Sequence, residues 1–136
     1  MILEYARSVL NFEDAQHAEY DPYASRLFIS ELECSLAGRT MKLNLVADSF
    51  VARVYGQETV EEEYYCNFGA NPAHASRFQD GSLHVAGSDN EGETRVIELP
   101  NHPFFAGTLF VPQLHSTASH PHPLVTEFVR KAVNAT

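Results

Sequence analysis

Residues 97–113 read Ile97-Glu98-Leu99-Pro100-Asn101-His102-Pro103-Phe104-Phe105-Ala106-Gly107-Thr108-Leu109-Phe110-Val111-Pro112-Gln113, and Pro121-His122-Pro123-Leu124 follows. Thr94 to Leu99 has the β-branched character of a strand. Phe104 to Val111 is a continuous apolar run, which predicts a strand buried on both faces. His122-Pro123 predicts the start of a last helix, because proline at the first helical position gives up an N–H that has no partner there. Leu124, Phe128, Val129 and Val133 would form its inner stripe, with Arg130 and Lys131 favourably placed near its C-terminus.

Outward from this stretch, Ser82 to Ala86 is strand-like, and Asp89-Asn90-Glu91-Gly92 is a hairpin loop joining it to Thr94 to Leu99. Ala73 to Phe78 suggests a short helix after the turn at Asn71-Pro72. Thr59 to Phe68 is β-branched and aromatic around three glutamates. Ser49 caps a short helix through Val54, and Gly56 stops it. Met41 to Leu45 alternates apolar and polar residues, the period of a half-buried strand. Ala37 to Thr40 is a turn, and Arg26 to Leu32 is ambiguous. At the front, Ile2, Tyr5, Ala6, Val9 and Leu10 recur at helical spacing. The order is helix, mixed strands, helix, with no repeat, linker or low-complexity tract: an α/β or α+β chain.

The chain has 136 residues, 44% of them hydrophobic and 20% charged, which are values of one globular domain. Eighteen acidic against nine basic residues give a net charge of −9. That excludes a general nucleic-acid binder, which needs a basic footprint, and opposes docking on an anionic membrane. No apolar run approaches the length of a spanning helix, and residues 1–14 lack the pattern of a signal peptide. The two cysteines, Cys34 and Cys66, are too few for a disulfide framework and match no zinc pattern, so a cytoplasmic protein is expected.

The stretch from Ile97 to Gln113, with Pro121 to Leu124, resembles the end of the glutamine amidotransferase domain of CTP synthase, which runs as E-L-P-x-H-P-F-F-x-G-x-Q-F-H-P-E and then P-H-P-L-F. Gly38-Arg39-Thr40-Met41-Lys42-Leu43 is similar to that family's G-G-T-M-R-L. Asp48-Ser49-Phe50 and Val54-Tyr55-Gly56 sit where it has a short helix ending in Y-G. Leu3-Glu4-Tyr5-Ala6-Arg7 and Glu19-Tyr20-Asp21-Pro22 resemble its I-E-F-A-R and E-F-D-P. The matches are collinear over essentially the whole chain. The resemblance implies an α/β class: a partial glutamine-amidotransferase-like, flavodoxin-like sheet with flanking helices, lacking the N-terminal strands. Residues 1–136 would be one degenerate domain, the C-terminal half of the family fold.

The resemblance also implies what is missing. The family hydrolyses glutamine with a Cys-His-Glu triad, in which histidine activates a thiolate and glutamate orients the imidazole. Its cysteine would fall a few positions ahead of Met1. Its histidine falls on Val111, which carries no proton, and its glutamate on Gln113, which is neutral. The family's basic stretch R-H-R-H-R-Y-E falls on Glu63 to Gly69. Asn67 there replaces the arginine that resembles the partner of the substrate carboxylate. Hydrolysis by the Cys-His-Glu mechanism is therefore not expected.

Glu63, Tyr64, Tyr65, Cys66, Asn67, Phe68, Gln113 and His115 are the candidate pocket residues. Tyr64, Tyr65 and Phe68 read better as strand aromatics packing a sheet face than as pocket lining. Glu61 to Glu63 reads best as a solvated charge run. Cys66, with no basic neighbour to lower its pKa, reads as an inert thiol. His115, His120 and His122 invite a metal, yet Pro121 and the P-H-P pattern favour a loop and helix start, so neither a metal nor another cofactor is expected. Two functions follow. One is a non-hydrolysing homologue acting as a binding or regulatory subunit; the other is an enzyme with a repurposed pocket acting on a non-glutamine small molecule. The missing half of the fold implies a homo-oligomer or a separate chain as cover, and the altered pocket implies a small-molecule ligand, with no nucleic acid and no membrane.

Overall fold

The computed structural model describes residues 1–79 and 81–134. Helix α1 (Ile2–Ser8) is followed by strands β1 (Gln16–His17), β2 (Leu27–Glu31) and β3 (Arg39–Leu45), then helix α2 (Phe50–Tyr55). Strands β4 (Thr59–Tyr64) and β5 (Phe68–Ala70) lead through a 3-10 turn (Pro72–His74) into α3 (Ala75–Gln79). Strands β6 (His84–Ser88), β7 (Thr94–Glu98) and β8 (Ala106–Thr108), a second 3-10 turn (Pro112–His115) and α4 (Pro123–Asn134) complete the chain. It is an α/β fold. The main sheet has the order β4-β3-β6-β7-β8 and is antiparallel throughout. A side sheet, β1-β2-β5, holds the parallel β1–β2 pair.

The local chemistry forms the elements as the sequence predicts at several points. Ser49 Oγ accepts the Ala52 N–H at 3.0 Å, and Gly56 ends α2 in the left-handed region at φ 71°. In the β6–β7 hairpin, Asp89 Oδ1 accepts the N–H groups of Glu91 and Glu93, while Gly92 takes φ 83°. Arg26 to Leu32, ambiguous in sequence, contains the strand β2. Gly81 passes so close to the Tyr5 hydroxyl that a Cβ there would lie 1.9 Å from it.

Two places differ from the sequence reading. Phe104 to Val111 is not one doubly buried strand: only Ala106–Thr108 is strand, and its residues are half-buried. The segment divides its pairing between two edges. Leu109 N–H donates to Arg95 O on β7, then Phe110 bridges Tyr64 and Val111 N–H donates to Glu63 O on β4. The sheet thereby curls until the segment leaving β8 meets β4 at the far edge. The strand buried on both faces is β7, where successive side chains point to opposite sides. Val96 enters the core under α2 and α4, with Leu43, Val51, Tyr64, Phe110 and Leu124, whereas Ile97 enters the second core, with Tyr5, Phe28, Phe78 and Leu83.

The second difference is α4. Leu124 is buried, but Phe128, Val129 and Val133 are 55%, 54% and 68% exposed. The helix instead turns Thr126, Glu127 and Arg130 toward a groove against α2. Among the described residues no helix is long and apolar enough to cross a membrane.

Helix α2 has only six residues and is fixed from outside. The buried Glu98 carboxylate, at the end of β7, accepts the N–H groups of Phe50 at 3.0 Å and Val51 at 3.1 Å. A carboxylate at a helix N-terminus satisfies orphan donors and complements the dipole. Replacing Glu98 with alanine should destabilise the fold by about 3 kcal/mol, since two charge-assisted hydrogen bonds are lost in a dry site. Glu98→Gln, which keeps one acceptor, should cost clearly less. Urea unfolding of the two variants against the parent measures both.

Candidate functional site

The side sheet leans on β7 and β8, and between them lies a cleft of about 590 Å³. Its floor is Val96, Ile97, Gly107, Thr108 and Leu109; its walls are Met1, Ile2 and Leu3 on one side, and His17, Glu19, Ile29 and Phe68 to Ala70 on the other. Glycine at 107 lets the chain end approach, because a Cβ there would lie 2.7 Å from Met1 Sδ. His17 packs its ring on Phe68 at 5.2 Å between centroids, while its Nδ1 accepts the Glu19 N–H.

Of the sequence candidates, Tyr65, Cys66, Asn67 and Phe68 line this cleft. Glu63, Gln113 and His115 lie apart from it. His115 Nε2 sits 3.3 Å from Glu63 Oε2 at the surface, and Gln113 lies in the 3-10 turn. Tyr64 faces the core at 0% exposure, edge-on to Phe110. Strand alternation explains the split. Residues 60, 62 and 64 point inward and 61 and 63 outward, so the neighbouring candidates Glu63 and Tyr64 of β4 cannot share a face.

The same alternation breaks up the glutamate run. Glu61 stands opposite Lys42 in register, at the surface. Glu62 is 3% exposed and not solvated. Its Oε1 accepts from the Tyr55 hydroxyl and lies 3.0 Å from His122 Nε2. Leu124 N–H donates to His122 Nδ1 at 3.2 Å, which leaves the ring proton on Nε2, aimed at Glu62. His122 therefore ties α4 to β4 and α2. Burial, then the hydrogen bond to the Glu62 carboxylate, holds the Tyr55 hydroxyl far above its ordinary pKa. His120 turns to Ser119, so the three C-terminal histidines face three different partners.

Arg95 is a buried charged residue of the cleft that sequence reading missed. It is 5% exposed, with Nε and Nη2 on Asp89 Oδ2 at 3.0 and 2.6 Å and Nη2 also 2.7 Å from Glu93 Oε2. A signal existed. A lone arginine in Thr-Arg-Val-Ile, on a strand with little polar alternation, demands a buried partner, and Asp89 stands in the preceding turn.

The elements that the sequence matches as a run are thus separated in space. Val111 N–H is engaged by the Glu63 carbonyl, and its side chain offers no proton acceptor. Neither Cys34 nor Cys66 makes a hydrogen bond to a histidine among the described residues, and no group of three metal-ligating side chains occurs among them.

No protein-family model matches the chain. The chain is 34% identical over 143 residues to the CTP synthase of Picosynechococcus sp., covering 98% of this chain and 26% of that enzyme. It is 33% identical over 150 residues to the CTP synthase of Bifidobacterium longum, with 98% and 27% covered, and 31% identical over 142 residues to that of Methanopyrus kandleri, with 97% and 26% covered. The chain spans about a quarter of the length of these curated relatives. Among solved structures, the glutaminase domain of Trypanosoma brucei CTPS with bound acivicin superposes with a TM-score of 0.88 at 20% identity, over 98% of this chain and 56% of that one. A GMP synthase subunit from Thermoplasma acidophilum gives a TM-score of 0.57 at 11% identity, over 79% and 49%.

The chain has the α/β fold of a glutaminase domain. In sequence it is homologous to a part of CTP synthase, about a quarter of that enzyme's length.

Tyr64 yields a direct test of its placement. Its hydroxyl is buried and has no hydrogen-bond partner. Burial raises its pKa to about 12, opposed by the Arg95 guanidinium and reinforced by the carboxylates of Glu62 and Asp89. The folded state thus holds the proton more tightly than the unfolded state, whose tyrosines titrate near pH 10. Stability from this group is complete below pH 10 and is lost as pH rises toward 12. Tyr64→Phe should leave stability at pH 7 unchanged or higher by up to about 1 kcal/mol, because no bond is broken. It should also move the alkaline unfolding midpoint upward, read by circular dichroism against pH.

Proposed function

We propose that this chain is a non-hydrolysing relative of the CTP synthase glutaminase domain that acts as a binding or regulatory subunit, with the cleft between the side sheet and β7–β8 as its ligand site. The observation that carries the reading is the chemistry at Val111 and Gln113. The resemblance puts the general base and its orienting group at these two positions, and neither side chain can move a proton or stabilise an imidazolium. Loss of triad members from such a unit removes several orders of magnitude of turnover. The unpaired thiols support the same reading, since an activated nucleophile needs a base within hydrogen-bond reach.

The second reading, an enzyme with a repurposed pocket, draws on Cys66, which lines the cleft beside Asn67. It needs Glu63, Gln113 and His115 to converge on that thiol, and they lie elsewhere. The binding reading is preferred on that ground.

An assembly belongs to the proposal. Strand β8 pairs with β7 on one side and leaves its own outer edge for another segment, an arrangement that proteins usually cover. Another copy or a separate chain would supply the cover. Light scattering on the purified protein should give a mass above that of one chain, and a well-folded monomer at all concentrations would contradict this part.

The decisive assay is ammonia release from glutamine, coupled to glutamate dehydrogenase. Turnover should be indistinguishable from a no-enzyme control and unchanged by Cys66→Ser. Ammonia release that depends on this protein would overturn the binding reading.

A further inference from the structure

The resemblance leaves the cleft without the guanidinium that its relatives carry at the position of Asn67, but the structure puts a different one nearby. Arg95 reaches the cleft from β7, not from the β4–β5 connection. Two of its three nitrogens are fixed: Nε and Nη2 grip Asp89, and Nη2 also meets Glu93. The remaining nitrogen, Nη1, makes no hydrogen bond among the described residues. It lies on the side of Gly69, 3.6 Å from where a Cβ on that residue would stand. A guanidinium clamped on one edge cannot swing, so Nη1 is a fixed donor presented to the cleft beside a backbone that lacks a side chain. A carbonyl acceptor arriving in the cleft could take over this donor from water.

Charge then selects the acceptor. Asp89 and Glu93 place two carboxylates on one guanidinium, which leaves the cluster with one excess negative charge. Glu19 adds another on the cleft wall and the α-amino group of Met1 offsets one, so the cleft keeps one excess negative charge. An arriving carboxylate would meet a donor whose positive charge is already spent and a field that repels it. A neutral carbonyl oxygen would take the hydrogen bond without that repulsion. Around the donor, Ile29, Ile97 and Leu109 supply apolar contact for the rest of the molecule.

We propose that the cleft binds a small amide- or ketone-bearing molecule that has no carboxylate, its carbonyl oxygen accepting a hydrogen bond from Arg95 Nη1. This rests on the reading of the cleft as the ligand site and names the class of ligand it selects. The selection is the reverse of a carboxylate grip, and it follows from Arg95 arriving already paired.

The test uses one carbon skeleton in three charge states: succinamide, succinamate and succinate, titrated into the full chain. Guanidinium-selective NMR follows the Arg95 resonances, assigned by their loss in Arg95→Lys. Succinamide should shift them saturably, and succinate should bind at least about tenfold more weakly, the consequence of one unfavourable charge contact in a half-buried site. Glu93→Gln, which removes a carboxylate outside the cleft lining, should narrow the gap between the two ligands. Equal or tighter binding of succinate, or an Arg95 signal that none of the three moves, would overturn the proposal. Both results are distinct from ammonia release, which bears only on hydrolysis.

Discussion

The whole fold depends on the meeting of Tyr64 and Phe110. A five-stranded antiparallel sheet has two open edges, and here the chain leaving β8 crosses to the far edge and pairs with the end of β4. That crossing curls the sheet around one core, seated under α2 and α4. It also leaves the opposite side of β7 free to build a second core with α1 and the side sheet. The cleft lies on this second side, so its floor is as rigid as the strand that both cores share. Without the closure, Tyr64 would be a strand-edge aromatic and not the largest fully buried side chain.

Charged groups inside this framework are each held by a different device. Glu98 is satisfied by backbone donors of a helix, Glu62 by a tyrosine and a histidine, and Asp89 by a turn and a guanidinium. Buried ions are costly unless such partners exist, and breaking a pair costs more than never having made it. The three devices join elements distant in sequence: β7 to α2, β4 to α4, and the two strands of the hairpin. They make the arrangement specific where apolar contacts alone would permit sliding.

Much of this was legible from residues alone where the determinant is local. The cap at Ser49, the stop at Gly56 and the turn at Asp89 to Gly92 are each decided within a few positions, and each formed as read. The run of matches to the glutaminase domain also indicated the fold class, which the superposition supports. What could not be read is what depends on which edge a segment meets. The apolar character of Phe104 to Val111 comes from serving two sheet edges and two cores in turn, a pattern that composition cannot separate from a doubly buried strand. The three glutamates look alike in sequence, yet alternation sends Glu62 inward and its neighbours outward, and the partner that makes burial tolerable, His122, lies 60 residues away. For the cleft, the sequence indicated Tyr65 to Phe68 but not Arg95, because its importance arises only when the hairpin lies against Gly69.

The cap that Glu98 supplies to α2 has a consequence for the order of events during folding. A six-residue helix lies well below the length at which a helix persists in water, and its first donors are satisfied by a residue 48 positions further along the chain. Helix α2 therefore cannot serve as a nucleus. It forms when β7 arrives, so that strand is the gate through which α2 becomes ordered. Loop closure over that span must precede the gain. Such a domain should fold slowly for its size, with α2 among the last parts to settle and the first to loosen.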